Sequence, residues 1–313
     1  MNTAFIFPGQ GSQSVGMLNQ LYDCFPQYCT QYFELISQHA GFNVWDLVHN
    51  GPNDKLNQTE YTQVAMLASD VLIYQLFRQA FPETIPQVMA GHSLGEYAAL
   101  VCAGAMTIEQ GIKIVRRRGQ LMQEAVPLGE GAMAAIVGLE NATVSSLCDM
   151  ASDEAFKVSP ANFNAPGQVV VAGHTAAVEK AITLAEKQNA RLAKMIPVSV
   201  PCHCDLLTDV ASEFETYLSQ FTFLSPKTPV VANVNAKPYT SAEEIRPWLT
   251  KQLYSPVLWV ESIDNMVRTY SLNEALEVGP GNVLSGLVKR IDRSLKPISA
   301  LSQLLTSQVL TNQ

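Results

Sequence analysis

No stretch of about 18 uncharged apolar residues occurs anywhere in the chain, so the sequence pattern of a membrane-spanning helix is missing. The start, Met1 to Phe7, lacks the basic segment and cleavage site of a secretory signal. Charge is also scarce: only 15% of the 313 residues are charged, and the acidic ones outnumber the basic ones 28 to 20. With no basic stripe or tail, neither nucleic-acid nor membrane binding is expected. Cysteine is sparse and irregular, six in all, and a chain this long can bury a core without a disulfide framework. The cysteines read as reduced thiols of a cytoplasmic protein. Cys202 and Cys204 flank His203, but this spacing is poor for zinc and no second cluster completes four ligands. No metal is expected. Gly9-x-Gly11 lacks the rest of a dinucleotide fingerprint, so no cofactor is expected either.

What the chain does have is apolar substance, 47% of its residues, and one sharp motif. Val88-Met89-Ala90 reads as a buried strand, Gly91-His92-Ser93-Leu94-Gly95 as a tight turn, and the residues from Tyr97 as a helix. That is the context of a nucleophile elbow, in which the serine hydroxyl stands at the top of a sheet. The backbone N–H of Leu94, at the helix start, then points at any oxyanion formed beside Ser93. The competing reading is an ordinary turn between strand and helix.

Around this motif, strands and helices alternate. The pattern predicts helices near 25–39 and 62–80, a polar loop over 56–63, and a helix from an N-cap at Thr107 with Gln110 three residues on. From about 128 to 198 the order becomes β-α-β-β-α-β, the ferredoxin-like arrangement. The expected fold is α/β. A large α/β-hydrolase-like domain with a mostly parallel sheet comprises 1–127 and 199–313, and a small ferredoxin-like domain, 128–198, is inserted into it. A final strand is expected from Pro297 to Leu301.

A serine nucleophile needs a base. His39 and His49 lie in polar N-terminal segments, His92 should point away around the elbow, and His174 starts a helix in the inserted part. His203 remains, placed at a Pro-initiated helix start where the chain returns from the insertion. No acidic third member is evident; Asp205 and Asp209 are near only in sequence, and a backbone carbonyl could hold the base instead. On the next helix, Arg118 has Ile114, Val115, Leu121 and Met122 around it, whereas Arg116 and Arg117 have polar neighbours. Arg118 therefore faces the core. A buried guanidinium needs an anion, either an Asp or Glu of the chain or a substrate carboxylate held bidentately.

Phe7-Pro8-Gly9-Gln10-Gly11-Ser12-Gln13, Gly91-His92-Ser93-Leu94-Gly95-Glu96-Tyr97, Arg118-Gly119, Asn162-Phe163-Asn164, Val200-Pro201-Cys202-His203 and Glu277-Val278-Gly279-Pro280-Gly281 follow in order. Together they resemble the malonyl-CoA:acyl-carrier-protein transacylases over almost the whole chain. The resemblance implies that Ser93 is the nucleophile, His203 the base and Arg118 the clamp of the malonyl carboxylate. It implies Gln10 and the Leu94 N–H as oxyanion hole, and the Gln252 carbonyl as the group orienting the histidine. Asn162 and Gln63 are implied as cleft residues; the family commonly has proline where this chain has Val64. Malonyl-CoA and acyl carrier protein are the implied partners, in fatty-acid synthesis. Service to a polyketide synthase, a serine hydrolase, or a docking module without chemistry are the alternatives. Lys289, Arg290, Arg293 and Lys296, or Arg116 and Arg117, are candidate contacts for an acidic carrier.

Overall fold

The apolar run Thr3–Phe7 has no charge on either face, as a strand covered on both sides requires. In the computed structural model, which describes residues 2–127, 129–198 and 200–311, it forms the central strand of a five-stranded sheet. The strands are β1 (Thr3–Phe7), β2 (Pro86–Gly91), β3 (Gly131–Val137), β4 (Val158–Ala165), β5 (Gln168–His174), β6 (Leu192–Met195), β7 (Val230–Val231), β8 (Glu274–Glu277) and β9 (Lys296–Ser299). The first sheet runs β7-β2-β1-β8-β9, with every pairing parallel. Side chains alternate between its faces. Phe5, Phe7 and Met89 pack into one core with the helix Thr59–Ala80, and Ala4, Ile6, Val88 and Ala90 into another with the helix Trp259–Tyr270.

The second sheet runs β4-β5-β3-β6 and is antiparallel throughout. Ala134, Ile136, Val169 and Val171 pack on one face against the helices Asn141–Ala151 and Thr175–Lys187. Met133, Val170 and Ala172 pack on the other face with Cys204, and the partly buried Cys202 joins them. Strand β4 is tied to the segment that leads into the helix Trp259–Tyr270. Phe163 N–H donates to the Val257 carbonyl at 3.0 Å, and Val257 N–H to the Ala161 carbonyl at 2.9 Å.

Three local expectations need correction. The helix predicted from 62 starts at Thr59, taking in most of the stretch read as a loop. Its first turn, Thr59-Glu60-Tyr61-Thr62, is mostly polar, so apolar periodicity cannot mark it. His203 does not begin a helix. It lies in a loop with φ of 60°, and regular turns start only at Asp205 and Thr208. The last strand stops at Ser299, and a further helix, Ala300–Thr311, follows. Leu128 and Ser199, where the edges of the insertion were expected, lie outside the described residues.

Candidate active site

The elbow depends on two glycines. A Cβ on Gly91 would sit 1.8 Å from the Gly95 carbonyl carbon, and one on Gly95 would sit 2.0 Å from the Phe7 oxygen. Only hydrogen lets β2, the turn and β1 approach this closely. Ser93 itself has φ of 52°, a left-handed conformation that a non-glycine residue holds only when its surroundings enforce it. The enforcing residue is Asn233, just beyond β7. Its Oδ1 accepts the Ser93 N–H at 2.7 Å and its Nδ2 donates to the Gly91 carbonyl at 2.7 Å.

Ser93 Oγ lies 2.7 Å from His203 Nε2. On the far side of the ring, Nδ1 lies 2.7 Å from the backbone oxygen of Gln252. A carbonyl can only accept, so Nδ1 carries the hydrogen, and Nε2 presents its lone pair to the serine hydroxyl. Burial, and next the Arg118 charge, lower the His203 pKa to about 3, so the ring is neutral at ordinary pH. A hydroxyl in this arrangement can lose its proton to the ring as it attacks an acyl carbon. Neither Asp205 nor Asp209 takes the place of an acidic third member.

Arg118, on the helix Ile108–Ala125, is 1% exposed. One terminal nitrogen donates to Gln252 Oε1 at 3.0 Å and lies 3.4 Å from Ser93 Oγ. The guanidinium stands 5.3 Å from the centre of the Tyr97 ring. Its Nε is buried and has no partner, and among the described residues no carboxylate lies within ion-pairing distance of it. By contrast Arg117 pairs with Glu124 and Glu213, and the half-buried Arg116 donates to the Ala40 carbonyl. Arg116 is thus less solvated than its neighbours in sequence suggest.

These groups open onto a cavity of about 530 Å³ lined by Gln10, Ser93, Leu94, Arg118, Asn162 and His203, among others. Leu94 is the N-cap of the helix Gly95–Cys102, and the amides of Gly95, Glu96 and Tyr97 donate back to the His92, Ser93 and Leu94 carbonyls. Gln10 extends from the loop after β1, and its Nε2 is 3.4 Å from Thr59 Oγ1. Asn162 comes from β4, so both sheets contribute to the walls.

Matched over residues 4–299, the chain fits the model of the acyl transferase domain. The chain belongs to the acyl transferase family. It is 47% identical over 296 residues to the malonyl CoA-acyl carrier protein transacylase of Haemophilus influenzae, covering 95% of this chain and 94% of that one. The solved malonyl CoA-acyl carrier protein transacylase of Coxiella burnetii superposes with a TM-score of 0.94 at 44% identity, covering 99% and 97%. A malonyl-transacylase solved in complex with its type II PKS acyl-carrier protein superposes with a TM-score of 0.93 at 43% identity, covering 98% and 100%.

In this acyltransferase, two residues expected in the cleft behave differently. Asn162 lines the cavity. Gln63 does not; it is buried in its helix, with Nε2 3.3 Å from the sulfur of Met122, which does line it. His92 points away from Ser93, its Nε2 2.7 Å from Asn164 Oδ1. Cys202 and Cys204 diverge, the first to the cavity wall and the second under the antiparallel sheet, and all six cysteines are free thiols. Among the described residues no helix is long and apolar enough to cross a membrane.

Sequence reasoning missed Asn233 and Tyr239, and it quoted Glu96 and Asn164 only as motif positions without a role. Asn233 carried one usable signal: it follows an apolar run at the C-terminal edge of a parallel sheet, where ligand sites lie. Glu96 carried another, a lone charge opening an otherwise apolar helix, Glu96-Tyr97-Ala98-Ala99-Leu100.

Proposed function

We propose that the chain transfers a malonyl group from malonyl-CoA to the phosphopantetheine thiol of acyl carrier protein through an ester on Ser93. His203 Nε2 takes the hydroxyl proton as Oγ attacks the thioester carbon. The tetrahedral oxyanion is held by N–H groups of Gln10 and Leu94, each such donor contributing about 3 kcal/mol in comparable sites. The C–S bond then breaks, and His203 returns its proton to the coenzyme A thiolate. The carrier thiol repeats the sequence in reverse sense on the ester, with His203 again as base. The Gln252 carbonyl holds the ring in the required tautomer, and Asn162 forms part of the cleft wall; Gln63 supports that wall through Met122.

The observation that carries the malonyl assignment is Arg118. It is a buried cation without a carboxylate partner, 3.4 Å from Ser93 Oγ, with a free N–H at Nε. A terminal carboxylate on the acyl group supplies the missing anion, and an acetyl group does not. The relatives named as malonyl CoA-acyl carrier protein transacylases support the same donor and acceptor. We assign the carrier to fatty-acid biosynthesis; the relative solved with a type II PKS carrier protein favours polyketide service as the second reading.

For the fold, the strand order β4-β5-β3-β6 supports a ferredoxin-like unit over 128–198, inserted into an α/β-hydrolase-like domain of 1–127 and 199–313. For the carrier surface, the helix Val283–Ile291 is favoured. It lines the cavity through Val283, Leu284 and Leu287 and ends in Lys289 and Arg290, whereas Lys296 pairs with Glu274. The free thiols support a cytoplasmic location, and no cofactor enters the scheme.

Intact-protein mass after brief exposure to malonyl-CoA, and again after adding phosphopantetheinylated carrier, tests the proposal. One malonyl group gained and then lost to the carrier is expected. Loss at the same rate to buffer alone would make the chain a hydrolase, and no gain at all would overturn the donor.

A further inference from the structure

Glu96 is 1% exposed and sits three residues beyond Ser93. A carboxylate only accepts hydrogen bonds, and three donors converge on this one. Tyr239 O–H reaches Oε1 at 2.5 Å, and the Asn233 backbone N–H and Gln252 Nε2 reach Oε2 at 3.1 and 2.7 Å. No cation pairs with it among the described residues. A buried carboxylate held this way is expensive to keep, and stability alone does not require it.

Its consequence is felt through Gln252. The amide nitrogen of Gln252 must face Glu96, and it also donates to the Ser93 carbonyl at 3.0 Å. Oε1 is thereby turned to Arg118, a group that only donates, at 3.0 Å. An acceptor-only residue on one side and a donor-only residue on the other leave the amide a single orientation. The backbone oxygen of the same residue receives His203 Nδ1–H. Gln252 never reaches the cavity wall, yet it touches both the guanidinium and the imidazole that do.

We infer that Glu96 is a positioning residue: it orients the Gln252 amide so that Oε1 anchors Arg118, and it thereby sets the preference for acyl groups that end in a carboxylate. The part concerning Arg118 and the acyl carboxylate rests on the transacylase reading above. Anchoring occupies one terminal nitrogen of Arg118 and holds the guanidinium at the cavity wall. Burial pushes the Glu96 carboxyl up to about 7, against the pull of its three donors and of the Arg118 charge, so the acceptor-only form the argument uses is the one that prevails above that pH.

The test compares Ser93 acylation by malonyl-CoA and by acetyl-CoA, followed by intact mass, in wild type, Arg118→Met, Glu96→Gln, Tyr239→Phe and Gln252→Ala. Glu96→Gln should lower malonyl kcat/KM about tenfold or more while acetyl stays within about threefold, as for loss of an outer partner that orients a binding group. Tyr239→Phe, which loosens Glu96 and keeps its charge, should move the ratio the same way by less. It also carries the test if Glu96→Gln does not fold. In a Gln252→Ala background, Glu96→Gln should leave the ratio unchanged, because the two act in series. Equal loss with both donors, or an undiminished effect in that background, would overturn the inference. If wild type takes neither acyl group, the functional reading fails instead. The guanidinium position in Glu96→Gln crystals then decides the inference, and an unmoved Arg118 overturns it.

Discussion

Replacing Arg118 by Met keeps most of the side-chain length and removes only the charge and its donors. In wild type the guanidinium is buried beside Ser93 Oγ with no carboxylate partner. On the proposed reading, a malonyl carboxylate entering this site exchanges its hydration for Arg118. Removing one member of such a pair costs about 3–5 kcal/mol, because the other is left buried and unpaired. At about 1.4 kcal/mol per tenfold, malonyl acylation should fall at least about a hundredfold. Acetyl has no carboxylate, so its rate should stay within about threefold. Stability should move by no more than about 1 kcal/mol, since the bond to Gln252 is lost together with an uncompensated buried charge. The assay is the initial rate of ester formation on Ser93 with each donor, beside a urea unfolding curve. Equal loss with both donors would refute the clamp and leave Arg118 a structural role.

Other outcomes are equally specific. Ser93→Ala should take up no acyl group from malonyl-CoA, and a labelled Ser93→Ala protein would refute the assignment of the nucleophile. The His203 ring should not titrate between about pH 5 and 8 when followed by NMR, whereas a midpoint near its ordinary 6.5 would contradict its burial. Because its folded pKa is depressed, the unfolded chain takes the proton first, so this residue's linkage lowers stability as pH falls from 6.5 toward 3. Glu96, raised from 4.5 to about 7, acts with the opposite sign: its linkage lowers stability as pH rises through that interval. Gly95→Ala should destabilise by about 3 kcal/mol or more, given a backbone oxygen 2.0 Å from the new carbon; an unchanged urea midpoint would show that β1 and the elbow can separate. Asn233→Ala should cost about 1–3 kcal/mol and slow acylation with both donors alike, because it frees the Ser93 N–H and the Gly91 carbonyl. Unaltered acylation would remove Asn233 from the support of the elbow.

Features with a local cause were legible in the chain itself. The Thr107 capping box forms as expected, with Thr107 and Gln110 exchanging hydrogen bonds, because both partners lie within one turn. Arg118 could be assigned to the buried face of its helix because helical spacing puts its neighbours three and four residues away. The strand–turn–helix around Ser93 was readable because two glycines and a buried run occur in ten consecutive residues. The helix start at Thr59 was not readable, because its first turn, Thr59-Glu60-Tyr61-Thr62, lacks the apolar spacing of the rest of the helix.

The alternating strands and helices, the elbow, and the inward turn of one arginine each follow from residues within about one helical turn of one another. Which groups meet depends instead on how distant segments pack. Ser93 and His203 are 110 residues apart, and Arg118 and Gln252 are 134 apart. No periodicity encodes such a distance; it is set by where the two sheets pack. The tertiary structure also removed one of the two readings left open at Arg118, since among the described residues no carboxylate of the chain pairs with it; an absent ion partner is a property of everything around a side chain and not of its neighbours in sequence. The same holds for Glu96, which reads as one more charge in the chain and becomes the fixed point of the site only when Tyr239, Asn233 and Gln252 fold onto it.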